Sequence, residues 1–137
     1  MRVLKVFCLL PFMAMAEKPI SFIEVFGGNY ELPKYCMNYA ESEDAEYNIH
    51  CEPPTGEYLI SIRTSHKPCI EGSEIKPPKF ELTREFISNE LRFLEIKGTN
   101  KRTGHITYLR YISSENRCLT LVARSLDYLN MVKIGNW

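Results

Sequence analysis

Three stretches decide how this chain folds: LRFLEIK (91–97), HITYLRYI (105–112) and CLTLVAR (118–124). Each is short, dense in β-branched and aromatic residues, and bounded by turn formers. Gly98-Thr99-Asn100-Lys101-Arg102-Thr103-Gly104 separates the first two, and Ser113-Ser114-Glu115-Asn116 separates the second from the third. Ser125 to Asn130 then precedes a fourth apolar stretch, Met131 to Ile134. Strands at such spacing predict an antiparallel meander curling into a small barrel or sandwich. Within CLTLVAR, a period of two puts Leu119, Leu121 and Ala123 on one face and Thr120 and Arg124 on the other. The expected fold is mainly β, with one or two short helices and two disulfides.

Upstream the pattern is less regular. Pro19 suits a first helical turn and Gly27 a position just past a helix end, with Ile20, Ile23 and Phe26 on one face. Ile20 to Phe26 is therefore read as a short helix in preference to a strand. Pro33 confines any strand between Tyr30 and Cys36 to an edge. The turn signal Pro53-Pro54-Thr55-Gly56 precedes a predicted strand from Tyr58 to Arg63. Thr64 to Lys79, with Pro68, Gly72, Pro77 and Pro78, reads as irregular. Phe80 to Ile87 fits a strand or a short helix.

The first sixteen residues carry an address. Arg2 and Lys5 precede the apolar run Val6 to Met15, and Ala14-Met15-Ala16 places small residues where a signal peptidase cuts. Cys8 lacks the small residues that precede a lipid-attachment cysteine. Residues 1–16 are thus expected to be a signal peptide and 17–137 a single disulfide-stapled domain, exported to a periplasm or the extracellular space. No apolar run reaches the roughly twenty residues of a membrane-spanning helix. Trp137 stands where an aromatic residue closes many outer-membrane barrels, but the predicted strands fall short of the nine to eleven residues, or about 30 Å, that such strands need.

Composition agrees with that address. The 137 residues carry 17 Lys+Arg against 17 Asp+Glu, and 45% are hydrophobic. Balanced charge argues against a nucleic-acid binder, and the apolar content argues against disorder. Removing residues 1–16 leaves 121, with 15 basic and 17 acidic side chains, a net charge of −2. It also removes Cys8 from five cysteines, leaving Cys36, Cys51, Cys69 and Cys118, an even number suited to an oxidising compartment. Four cysteines allow three pairings; Cys36 and Cys51 flank one polar loop, which favours Cys36–Cys51 with Cys69–Cys118. The rival reading is a zinc site from His50, Cys51, His66 and Cys69, for which paired Cys-x-x-Cys spacing is missing.

Catalytic signatures are sparse. There is no phosphate-binding glycine motif, no Gly-x-Ser-x-Gly elbow and no His-Glu-x-x-His. His50, His66 and His105 could supply a ribonuclease-like acid and base, with Lys67, Lys101 or Arg102 for the phosphorane charge. No spacing singles out a carboxylate pair for glycoside hydrolysis. The acidic run lacks the alternating ligands and central glycine of a calcium loop, and no cofactor is expected.

What remains is a surface. Tyr39, Glu41, Glu43, Asp44, Glu46 and Tyr47 crowd acids and aromatics into one loop beside an expected disulfide, and Lys97–Arg102 forms a basic turn elsewhere. Tyrosine is enriched at interfaces, and a pre-ordered loop lowers the entropic cost of association. The function expected is a small exported binding protein, not an enzyme, such as an inhibitor or periplasmic immunity protein that meets a basic protein surface. A His-dependent secreted hydrolase and a ligand carrier with an apolar barrel cavity are the alternatives. Intact-mass analysis of the exported chain is expected to give a polypeptide starting at Glu17 and lighter by four hydrogens than its reduced form.

Overall fold

A computed structural model of the chain describes residues 18–40, 46–52, 60–76, 79–135 and 137. Its strands are β1 (Lys18–Pro19), β2 (Phe22–Val25), β3 (Gly28–Glu31), β4 (Cys36–Asn38), β5 (Asn48–Cys51), β6 (Ile60–Ser65), β7 (Phe80–Ser88), β8 (Leu91–Thr99), β9 (Ile106–Ser113) and β10 (Cys118–Ala123). One short helix, α1 (Leu126–Leu129), follows, and a single 3-10 turn occupies Gly72–Glu74. The predominantly β, antiparallel character and both disulfides, Cys36–Cys51 and Cys69–Cys118, are as the sequence predicts. Their sulfurs leave no cysteine ligand for the zinc reading, which is overturned.

Eight strands form one antiparallel sheet in the order β1-β4-β5-β6-β10-β9-β8-β7, and β2 and β3 form a separate hairpin. The register assembles the inner face row by row. Ile49 faces Ile62, Ile62 faces Leu121, Leu121 faces Arg110, and Arg110 faces Glu95. The next row runs Thr64, Leu119, Ile112, Phe93, Phe86. Two elements cover this face. Ile23, Val25 and Leu32 arrive from the β2–β3 hairpin, and Leu129, Val132 and Ile134 from the segment after β10; all belong to one buried cluster. Each such side chain contributes about 1.5–3 kcal/mol by leaving water.

Three local readings change. Phe22–Val25 is a strand, because Phe26 and Gly27, at φ 53° and 72°, form the two-residue turn of a hairpin where a helix end was expected. Ser125 to Asn130 contains α1, capped by Ser125 Oγ, which accepts a hydrogen bond from the Tyr128 amide at 3.3 Å. Met131 to Ile134 forms no strand; it packs Val132 and Ile134 onto the sheet as irregular chain. Phe80–Ser88 resolves to a strand, and β7 and β8 each reach nine residues, longer than expected.

One polar pair interrupts the inner face. Arg110 is 3% exposed and Glu95 8%. Arg110 Nε donates to Glu95 Oε2 at 2.8 Å, and Nη2 donates to Asn130 Oδ1 at 2.8 Å. The guanidinium lies 4.4 Å from the centroid of the Trp137 ring, which also meets Phe86 and Phe93 edge-on at 5.3 and 5.4 Å.

The outer face is partly covered too. Leu94 and Ile96 alternate with Phe93 and Glu95, so they point outward, yet both are buried. Segment 66–76 crosses this side. Cys69 bonds to Cys118, its amide donates to Ser113 Oγ at 3.2 Å, and Glu71 lies 3.6 Å from Arg92. At the sheet's margin β7 carries Glu81, Arg84 and Glu85 and a bulge between Leu82 and Arg84, where Thr83 Oγ1 donates to the Glu95 carbonyl at 3.0 Å. Charges and bulges of this kind oppose edge-to-edge pairing. Among the described residues, no helix is long and apolar enough to cross a membrane.

Arg110→Ala is expected to destabilise the domain by about 3–5 kcal/mol, because it strands the Glu95 carboxylate in the interior; urea denaturation measures it. Replacing Cys69 and Cys118 with Ala releases a long loop and is expected to cost about 4 kcal/mol on the chain-entropy account. Burial pushes the Tyr111 phenol above its ordinary value of 10.0. Its contribution to stability is complete below about pH 10 and declines as pH rises through the higher folded value. Ultraviolet titration is expected to show one tyrosine ionising after the exposed ones.

Candidate binding surface at one end of the sheet

Register divides the loops between two ends. The β4–β5 connection (39–47), His66 after β6, the β7–β8 turn and the β9–β10 turn lie at one end; the basic turn between β8 and β9 lies at the other. The described stems of the acidic loop and the basic turn therefore lie at opposite ends of the sheet.

Of the six residues expected to contact a partner, Tyr39, Glu46 and Tyr47 are among the described residues, and Glu41, Glu43 and Asp44 lie outside them. The stems of the loop are held on several sides. Cys36 and Cys51 are directly opposed in the ladder and bonded, which closes the hairpin at its open end. Tyr39 N donates to the Asn48 carbonyl at 2.8 Å, and Asn38 Oδ1 accepts from Ala40 N at 3.1 Å and Asn48 N at 3.2 Å. On the other stem, Tyr47 N donates to Thr64 Oγ1 at 2.6 Å, while Thr64 N donates to the Tyr47 carbonyl at 3.1 Å. The Tyr47 hydroxyl accepts from Glu24 N at 3.2 Å, which joins the β2–β3 hairpin to the loop. Tyr39 sets its ring edge-on to His50, with centroids 5.4 Å apart.

These residues border an open hollow of about 490 Å³, lined by Tyr39, Glu46, Tyr47, Asn48, Arg63 and Thr64. Asn48 and Arg63 face each other across β5 and β6. Asn48 Oδ1 is buried and has no hydrogen-bond partner among the described residues. Glu46 lies 3.6 Å from His66 Nε2. The hollow therefore offers two tyrosines, a carboxylate, an unsatisfied amide oxygen and a guanidinium on a fixed frame. Asn48, Arg63 and Thr64 escaped the sequence reading because their participation depends on strand register, which no local motif encodes.

The histidines are not brought together. His50 sits within β5 opposite Ser61, and His66 lies five residues further along the neighbouring chain direction, roughly 16 Å at 3.3 Å per residue. His105 precedes β9 at the opposite end of the sheet. No two imidazoles share a place where one phosphodiester could be attacked and protonated. Among the described residues no group of three or more His, Cys, Asp or Glu side chains could hold a metal ion. The inner face is filled by side chains from the hairpin and the C-terminal segment.

Thr64→Val removes the acceptor of the Tyr47 amide and is expected to cost about 1–2 kcal/mol. Hydrogen exchange at Tyr47 N–H should accelerate while exchange within β10 stays slow. The chain matches no protein-family model, no curated protein and no solved structure.

Proposed function

We propose that this chain is a small exported binding protein that engages a protein partner with basic surface groups through its acidic β4–β5 loop, in the manner of an inhibitor or a periplasmic immunity protein. The observation that carries this reading is the immobilisation of both loop stems by a disulfide, a paired Tyr47–Thr64 contact and the Asn38 side chain. A frame ordered before binding spares the complex much of the entropy of fixing a loop. Tyr39 and Tyr47 supply amphipathic contact area. The acidic side chains steer encounter with a basic patch, an effect that weakens as salt screens it. Two disulfides accord with an oxidising compartment.

The test is a pull-down from the native compartment with the immobilised full-length mature chain and with its E43K/D44K/E46K variant. The wild-type chain is expected to retain a basic protein that the variant loses, with affinity falling about tenfold or more. Equal retention by both would overturn the role of the loop.

A further inference from the structure

Near the same end of the sheet lies a larger hollow, about 1100 Å³, walled by the tips of three hairpins and by His66. Two of those tips break the rules of turn chemistry. The β2–β3 turn is Phe26-Gly27, with Phe26 at φ 53°, and the β7–β8 turn is Asn89-Glu90, at φ 52° and 65°. Two-residue turns with positive φ at both positions favour Asn-Gly, because a Cβ crowds the backbone in the left-handed region. Phenylalanine stands where asparagine is favoured and glutamate where glycine is. Both departures border the same cleft. Phe26 also packs against the buried core, whereas Glu90 is exposed; both side chains are kept at a conformational cost and border one concavity.

The chemistry of the walls narrows the ligand. Phe26 and Tyr30 supply aromatic surface from one hairpin, and the Tyr30 ring folds over Gly28, where any Cβ would sit 2.6 Å from its hydroxyl. Glu90, Glu115, Asn116 and Arg117 line the same cleft, and Asn116 Oδ1 accepts a hydrogen bond from Ser114 Oγ at 3.2 Å. Charges nearly balance, which disfavours a strongly ionic ligand. The walls are turns whose backbone groups close on themselves, as where Ser114 N donates to the Arg117 carbonyl at 3.0 Å. They offer no strand edge to an extended peptide. Aromatic faces meeting carboxylate and amide groups suit a molecule with one apolar C–H face and a rim of hydroxyls.

We infer that this cleft is a binding site for a neutral oligosaccharide, with Phe26 and Tyr30 as the stacking platform and Glu90, Glu115 and Asn116 as hydrogen-bonding partners of the hydroxyls. The inference does not rest on the role proposed for the acidic loop, although His66 on the cleft wall lies 3.6 Å from Glu46.

The mature chain is titrated calorimetrically with β-1,4-linked hexamers of glucose, N-acetylglucosamine and xylose. At least one is expected to bind saturably. Phe26→Asn with Glu90→Gly gives both turns their favoured residues, and affinity is expected to fall about tenfold or more; because Phe26 also packs against the core, stability is read from Glu90→Gly alone, whose melting temperature is expected to rise by a few degrees. Asn116→Ala, which leaves both repaired turns untouched, is expected to weaken the same sugar. An E43K/D44K variant, which leaves Glu46 and its contact with His66 on the cleft wall intact, is expected to bind it as the wild type does, so that failure of the loop and failure of the cleft are read apart. No saturable binding by any of the three sugars overturns the inference. So does binding that survives both the turn repair and Asn116→Ala unchanged.

Discussion

A guanidinium buried in an apolar face needs partners, and Arg110 finds them for Nε, Nη2 and its flat face, while Nη1 is buried without a hydrogen-bond partner among the described residues. The partners are Glu95 from the neighbouring strand, Asn130 from just past α1 and the Trp137 ring. The last two lie on the segment that follows β10, so the charge dictates where that segment rests. Val132, Ile134 and Trp137 then close over Phe93 and Phe86 as a consequence. Buried ion pairs often add little net stability relative to apolar substitutes of the same volume, while removal of one partner is costly. Here the pair acts as a locator: it selects one position for a short irregular tail that propensity alone leaves undetermined.

The remaining architecture separates support from display. Disulfides, lids and the buried rows occupy the body of the sheet, whereas the variable chemistry gathers at the end where the β4–β5 loop, His66 and the hairpin turns meet. His66, 3.6 Å from Glu46 and on the wall of the larger cleft, adjoins both hollows. The Tyr47 hydroxyl likewise links the loop to the β2–β3 hairpin that supplies Phe26. Such an arrangement lets a rigid antiparallel body carry turn residues whose conformations cost free energy, because the ladder on either side holds them in place.

Much of the scaffold was legible from residue order. Even cysteine count, loop flanks and β-rich segments pointed to both disulfides and to the strands at 91–97, 105–112 and 118–124. Three features resisted, each for a physical reason. Gly27 reads as a helix stop because Phe26 is a poor signature for a hairpin turn, so β2 was taken for a helix. In LRFLEIK both faces are covered, so Leu94 and Ile96 are buried as well as Phe93, and the buried Glu95 carboxylate meets an arginine fifteen residues away, a pairing no local pattern encodes. The candidate surface was half legible: Tyr39, Glu46 and Tyr47 stand out by composition, whereas Asn48 and Arg63 join them only through the pairing of β5 with β6.

Strand order has a further consequence for assembly. β10 lies between β6 and β9, so it alone joins the β4–β5–β6 meander to the β7–β8–β9 meander. Each meander is local in sequence, but neither completes a core without the last strand of the chain. A polypeptide emerging N-terminus first therefore carries two unfinished half-sheets until residue 118 and beyond have appeared, and Cys69 waits for its partner until then. This topology delays closure of the sheet until β10 is available to pair with both β6 and β9.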